Sequence, residues 1–533
     1  MTFTSKVRNY SRMVSGIRAY LRSPVHPNPE ERIRHQLANR KNSWLDVVQR
    51  GIFSGAHPYR EMFRHAGCTF DDLSSEVERH GLEATLERLH GDGVYLTHDE
   101  FKGKQPILRG GKTIAASTSD FANPLIVGGL RAESGGSRSP GTQTRLSTQF
   151  KLYTEGYYHL AARQFDFAAT KHIQVKPILP AVAGLGWCLG CARIGTPPDR
   201  WFSASGPATD SAHYRTLTAS LVAMARLHGL KVPYPEHLPP DDFSAVAGLV
   251  ADYRRQGIPC HVNSYTSPGV RVAVAALEAG LDISGTVFSL SGEQLTEAKR
   301  QTIQSAGCEV CDRYWIAEVG PIGFACQHLK GRGIHLFRDT LAVISRPKKA
   351  SFSDVDVDAL LFTNLLPSAP FLLINADMDD SGVIKPVECD CVFRSVGFTD
   401  GAFDISSFGK LTGMGMTLVG TDVVRLLEDV LPARFGGGPG DYQLVEEEGQ
   451  RQTELVLRIS PRLGGVSPQA VEEFFLAEIR SFYGGALASR VWKHAGALRA
   501  AKEQPVMTSS GKIMALHLLG SSRLPDALRS NGS

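Results

Sequence analysis

The sequence predicts an α/β fold in two parts. A large N-terminal part of several subdomains carries β-sheets flanked by helices, and a small, mobile α+β part closes the chain. Three observations lead there. The chain has 533 residues, too many for one ordinary core. Residues 145–345 alternate helical stretches with short β-rich runs. From about Asp400 the composition turns to glycine (Gly401, Gly409, Gly413, Gly415, Gly420), ahead of a last stretch of mixed strand and helix patterns. The expected division is residues 1–400 and 401–533.

The elements follow in order. Residues 1–110 read as mostly helical, because 46–53, Tyr59–His65 and Leu82–Leu89 space apolar residues by three and four. The apolar run Ile178–Ala192 is too short for a membrane span and is broken by Pro180, Gly184, Gly186 and Gly190, so a buried strand and turn is expected. Tyr214–His228, Val270–Ala279 and Thr296–Ser305 predict helices; Thr286–Leu290 and Glu309–Tyr314 predict strands. Leu360–Thr363 and Phe371–Ile374 have β character. In the last part, Asp441–Val445 and Glu454–Ile459 predict paired strands. A helix follows, capped by Ser467 with Pro468 at its first position.

Composition excludes several classes. The 58 basic and 54 acidic residues are too evenly balanced for a nucleic-acid or acidic-membrane partner. Residues 1–22 lack the continuous apolar core of a secretory signal, so a cytoplasmic enzyme is expected. Nine scattered cysteines suit free thiols or a metal site better than a disulfide framework.

Three segments carry chemistry. Arg131–Thr142 is rich in glycine and serine. In Ser134-Gly135-Gly136-Ser137-Arg138-Ser139, glycines let backbone N–H groups approach phosphate and hydroxyls add donors. Asp312–Glu318 ends in an acid that suits Mg²⁺ beside phosphate oxygens. Thr508-Ser509-Ser510-Gly511-Lys512 places one lysine in a small polar loop. Each alone is also an ordinary surface turn. In this order and spacing they resemble the adenylate-forming enzymes, and within them the phenylacetate–CoA ligase branch.

The resemblance implies a role for each segment. The 134–139 loop holds the triphosphate, with Arg138 standing where the family has lysine. Tyr314–Glu318 matches the family's Tyr-to-Glu stretch, Glu318 being the Mg²⁺ ligand, and Asp312 and Tyr314 are nucleotide-binding candidates. Gly292 and Glu293 match a turn that lines the adenine pocket. Asp377 matches the acid that binds both ribose hydroxyls, although Leu373-Ile374 replaces the customary Arg-Tyr. Asp400 matches the hinge acid, with Phe398 where the family has arginine. Lys512 matches the lysine that serves adenylation from the closing lid.

The implied activity is ATP-dependent conversion of a small carboxylic acid to acyl-AMP, with Mg²⁺, followed by transfer to the thiol of coenzyme A. A carrier-protein thiol, an amine or a cysteine of a partner stands as an alternative acceptor. A catalytically weak acyl-binding or scaffolding protein is the alternative of another class. Trp187, Phe288 and Trp315 suit an apolar acid or the core equally. Cys308, Cys311, Cys326, His328 and His335, with Cys260-His261 nearby, offer ligands for a structural Zn²⁺; Cys188/Cys191 and Cys389/Cys391 are further pairs. Packed thiols are the alternative.

Overall fold

A computed structural model describes residues 14–126, 130–133, 143–179, 181–204, 212–239, 242–349, 356–407, 410–413, 416–448, 453–482, 489, 498–507 and 512–517. The fold is α/β, and one 12-stranded sheet organises the large unit. Its strands in chain order are β1 (Lys171–Val175), β2 (Arg200–Ala204), β3 (Pro235–Leu238), β4 (Cys260–Tyr265), β5 (Val287–Ser291), β6 (Glu309–Ile316), β7 (Gly320–Phe324), β8 (Gly333–Leu336), β9 (Leu341–Lys349), β10 (Asp356–Asn364), β11 (Ala376–Pro386) and β12 (Asp400–Ser407). The spatial order is β9-β10-β11-β12-β8-β7-β6-β5-β4-β1-β2-β3.

The half from β3 to β6 is parallel, in the order β3-β2-β1-β4-β5-β6. The chain starts in the middle at β1, winds outward to β3, then returns to β4 and winds the other way. Helices Val182–Arg193 and Ala212–Leu227 pack one face with Trp201; helices Ser244–Arg255, Thr266–Glu278 and Glu297–Ser305 pack the other with Val262 and Phe288. Such a reversal opens a crevice beyond the carboxyl ends of the strands, here between β1 and β4. From β6 to β9 every pairing is antiparallel.

Most expected elements form. The N-terminal helices include Arg40–Val48, continued by a π-turn at Gln49–Phe53, then Pro58–His65 and Leu82–Gly91. Helix Glu297–Ser305 starts at a Thr296 cap. Ser467 caps Pro468–Ile479 by accepting from Ala470 N.

Two secondary-structure expectations fail. The run Ile178–Ala192 contains no strand but the helix Val182–Arg193. It is apolar on all sides, so its periodicity identifies no face. Its glycines are close contacts rather than breaks: a Cβ on Gly190 would lie 2.3 Å from a Tyr158 ring carbon, and one on Gly184 2.5 Å from the Pro177 carbonyl. Phe371–Ile374 is a buried irregular segment. Leu372 N donates to Phe121 O at 3.0 Å and Leu373 O accepts from Asn364 N at 3.0 Å, so its backbone is satisfied without a strand.

The small unit has its own core, from Val423 to Ala515. Strand Tyr442–Glu448 pairs antiparallel with Thr453–Ile459 and parallel with Leu516–His517; Leu498–Lys502 extends the sheet. Asp400, expected at the hinge, instead opens β12 inside the large sheet and pairs with Arg338 at 3.1 Å. The glycine there serves packing, since a Cβ on Gly401 would meet Val387 at 2.5 Å. Strand β12 continues within the large sheet to Ser407.

A pH dependence is built into the parallel strands. His172 and His261 are register partners on β1 and β4, almost wholly buried among Phe165, Phe167 and Trp187. Burial, then the Arg313 charge, pushes His172 down to about 3; burial, His172 and Arg313 push His261 well below the ordinary range. Both are neutral in the folded chain but protonate in the unfolded chain once pH falls below about 6.5. Stability is therefore lost between about pH 6.5 and the depressed folded values, by about 2 kcal/mol per histidine at pH 5. Urea unfolding at pH 7.5 and pH 5 checks this: His261→Gln, which can still bond Ser289, should lose about 2 kcal/mol less than wild type over that interval.

Candidate active site

Lys512 is positioned by the small sheet. Ile513 and Ala515 are buried, Gln443 Nε2 donates to Met514 O at 2.8 Å, and Leu444 N donates to Ala515 O at 2.9 Å. The lysine projects onto the large unit at the carboxyl ends of β4 and β5. Its ammonium stands 5.4 Å over the ring of Tyr265, the last residue of β4. A Cβ on Gly292 would come within 3.1 Å of Lys512 Cε. Gly292 itself has φ +81°, which lets the chain turn sharply after β5. Burial lowers the Lys512 pKa, and the Glu293 charge partly restores it. Lys512 thus meets Gly292 and Glu293, which are far from it in sequence. Residues Thr508–Gly511 and the glycine-rich loop Ser134, Gly135, Gly136, Ser137, Arg138 and Ser139 lie outside the described residues.

Four contacts hold Lys512 there. Ser267 Oγ donates to Ile513 O at 3.1 Å. Lys299, on the helix after Glu293, pairs with Glu428 of the small unit at 2.7 Å, and Thr296 Oγ1 donates to the same carboxylate at 2.7 Å. Arg462 of the small unit pairs with Glu278. The Lys299–Glu428 pair is almost fully buried. Burial would lower the Lys299 pKa, but Glu428 and Glu293 outweigh it and the value is raised. Glu293 also accepts from the Ser267 hydroxyl, so it stands between the latch and Lys512.

The remaining acids gather on the adjoining stretch of β6 and β11. Glu318, in the β6–β7 turn, pairs with Lys102 at 2.8 Å. Tyr314 OH donates to Asp380. Asp377 pairs with Lys348 at 2.6 Å, and its other oxygen accepts from Asp379 N at 2.8 Å. His98 lies 3.3 Å from Asp379 and feels the Lys102 charge, which links the Glu318 and Asp377 groups. Asn375 has φ +49°, the left-handed geometry that turns the chain into Asp377. Burial pushes Asp312 up to about 6. Of the aromatic residues, Phe288 is core, Trp187 is buried under Arg313, and Trp315 is exposed.

A separate cluster suits a metal. Cys326, His335, Cys389 and Cys391 bring their ligand atoms within 4.8 Å of one another. The Cys326–Cys389 sulfur separation is 3.9 Å, and His335 Nε2 lies 3.4, 3.6 and 3.2 Å from Cys326, Cys389 and Cys391. Zn–S near 2.3 Å and Zn–N near 2.0 Å give tetrahedron edges of about 3.8 Å and about 3.5 Å. His335 Nδ1 lies 2.9 Å from the Phe398 carbonyl, which fixes the tautomer that leaves Nε2 for a metal.

Two of the expected ligands are here, Cys326 and His335. Cys308 lies in another core, its thiol 3.2 Å from Ile283 O. Cys311 is buried beside the cluster but outside the set, and His328 is exposed. Cys260 and His261 are core residues of β4. The Cys389/Cys391 pair was visible in sequence. Its link to Cys326 comes only from β12 inserting between β8 and β11.

No protein-family model matches the chain, and no curated protein matches it. Among solved structures it is similar to a 2-hydroxyisobutyryl-CoA ligase in complex with 2-HIB-AMP and CoA, at 14% identity and TM-score 0.42, over 95% of this chain and 90% of that one. It is also similar to O-succinylbenzoate coenzyme A synthetase from Bacillus subtilis in complex with ATP and magnesium, at 8% identity and TM-score 0.37, over 72% and 68%. A third is an AMP-forming acyl-CoA synthetase/AMP-acid ligase II-like protein from Dyadobacter fermentans, at 11% identity and TM-score 0.26, over 72% and 86%.

Two outcomes are expected. Gently purified protein should hold about one zinc per chain by elemental analysis; Cys391→Ser should lose it and Cys308→Ser should keep it. Glu428→Gln strands the Lys299 ammonium in a buried place, at a cost of about 3 kcal/mol or more. Limited proteolysis between the two units should then accelerate. The apolar double variant Lys299→Met with Glu428→Leu should be cleaved more slowly than the single variant.

Proposed function

We propose that this protein activates a carboxylic acid with ATP, forming an acyl-adenylate and pyrophosphate, and then transfers the acyl group to the thiol of coenzyme A. The observation that carries the reading is Lys512, held by a separate unit against the Gly292–Glu293 turn at the strand ends. The order and spacing of the segments that resemble the phenylacetate–CoA ligase branch support the same reading, and the proposed acceptor rests on that resemblance.

In the first step a carboxylate oxygen bonds to the α-phosphorus, and the bond to the β-phosphate oxygen breaks with its electron pair leaving on pyrophosphate. Negative charge builds on the α-phosphoryl oxygens. The Lys512 ammonium, brought in only when the units dock, stabilises that charge in a place sheltered from water. Mg²⁺ spreads the triphosphate charge when bound. Glu318 is the carboxylate proposed to hold it, and Lys102 must yield its contact for that. In the second step the thiolate sulfur bonds to the acyl carbon and AMP leaves.

A structural zinc at Cys326, His335, Cys389 and Cys391 would tie β8 to the segment between β11 and β12, stiffening the sheet away from the chemistry. A second reading, an acyl-binding protein of little activity, draws on Asp377. Both its carboxylate oxygens are engaged, by Lys348 and by Asp379 N, where a ribose would need them.

ATP–pyrophosphate exchange across a panel of carboxylic acids separates these readings, and free CoA-thioester tests the acceptor. Lys512→Ala should lower acyl-AMP formation at least 100-fold, about 2.7 kcal/mol, while consumption of supplied acyl-AMP changes far less. Glu318→Gln should lower exchange severely in a folded chain. No exchange in the wild type with any acid would leave the binding protein; equal loss of both half-reactions in Lys512→Ala would remove the lysine's assigned role.

A further inference from the structure

Lys176 has no place in the scheme so far, yet it occupies the reversal point of the parallel sheet. It directly follows β1, and its backbone carbonyl accepts from Trp201 Nε1 at 2.7 Å. The side chain is 5% exposed, and its ammonium lies 3.1 Å from Ser291 Oγ at the end of β5. Arg313, 6% exposed, donates to Asn263 and reaches the same Ser291 hydroxyl at 3.5 Å. The Arg313 Nε is buried without a hydrogen-bond partner. The side chains that Lys176 and Arg313 hydrogen-bond are thus neutral. The Lys176 ammonium stands 5.0 Å over the Tyr265 ring, the ring that Lys512 approaches to 5.4 Å.

Gathering these cations away from water is costly unless an anion joins them. The strain is visible in the lysine: burial, then Arg313 and Lys512, push its pKa far down. Glu293, the acid that faces Lys512, is already engaged by the Ser267 hydroxyl and the Lys299 charge. Asp312 stands near Arg313 and Glu293 faces Lys512, but among the described residues Lys176 pairs with no acid.

We propose that Lys176, backed by Ser291 and Arg313, is a fixed anion site that takes the carboxylate of the acid substrate, and that Lys512 completes it when the small unit docks. The identification of that carboxylate as the group being activated rests on the adenylation reading above. A carboxylate approaching a triphosphate meets strong repulsion, and a cation held in place beforehand offsets it. Lys176 belongs to the large unit, so it stays when the small unit and Lys512 move. It therefore holds the acid before the small unit docks and the acyl group afterwards, whereas Lys512 serves the adenylation step alone.

The test is binding to the ligand-free full chain by isothermal titration calorimetry, using benzoate, phenylacetate and hexanoate and the three matching amides. At least one acid should bind the wild type. Lys176→Met should weaken that acid at least tenfold, and the amide less than twofold. Ser291→Ala, which removes the hydroxyl that aims the ammonium, should weaken the acid three- to tenfold, and it decides the matter if Lys176→Met does not fold. Lys176→Met should also raise the melting temperature, because a buried amine that folding disfavours protonating gives way to an apolar side chain.

Binding of no acid by the wild type, unchanged acid affinity in the folded variants, or equal loss of acid and amide would overturn the proposal. A lysine that serves packing alone predicts a lower melting temperature with acid affinity intact. Acid binding that depends on Lys176, in a protein without pyrophosphate exchange, would remove adenylation and keep the anion site.

Discussion

The buried pair between Lys299 and Glu428 is the contact on which the site's assembly depends. It lies between two units with separate cores, and at 2.7 Å it leaves little freedom for sliding. Buried pairs seldom add much net stability, because desolvation takes back most of the attraction. They are intolerant of misplacement, however, since either partner left alone is a buried charge. A contact of that kind suits a docking that must be specific and still reversible. Ser267 reads the same docking through the Ile513 carbonyl, one residue from Lys512.

The charges at the strand ends divide by location. Cations crowd the crevice where β1 and β4 part: Lys176, Arg313 and Lys512. Acids crowd the adjoining β6 and β11 stretch: Glu318, Asp377, Asp379 and Asp380, countered by Lys102 and Lys348. The sheet produces this separation. Parallel strands deliver loop residues to one end, and the antiparallel return brings Asp380 of β11 to the Tyr314 hydroxyl of β6. The Cys/His cluster lies on that return, where β12 joins β8 to β11, so a metal there would brace the frame rather than take part in the chemistry.

Local signals in the sequence were strong wherever one residue decides an outcome. Ser467 marked a helix start, and Pro468 agreed with it. The segment Gly292–Glu293 and Lys512 were legible as chemistry, but nothing local says that they touch; that follows from the docking of the two units. The Ile178–Ala192 run misled because a helix buried all round has no polar face to give its period. Asp400 misled because glycines that allow close strand packing look like glycines that allow a hinge. Lys176 carried no signal at all. A lysine after a short apolar strand is ordinary until the reversal of strand order places it beside Arg313 and Ser291.

In the proposed reaction the two units close around one anionic centre at the ends of β1, β4 and β5. The structure of the full chain bound to an acyl-sulfamoyl adenosine, a stable mimic of acyl-AMP, tests it most directly. The sulfamoyl group should lie beside Tyr265, with Lys176 and Lys512 in hydrogen-bonding reach of the mimic and Lys299 still paired with Glu428. A mimic bound away from the Gly292–Glu293 turn, or bound there with both lysines turned from it, would contradict the account.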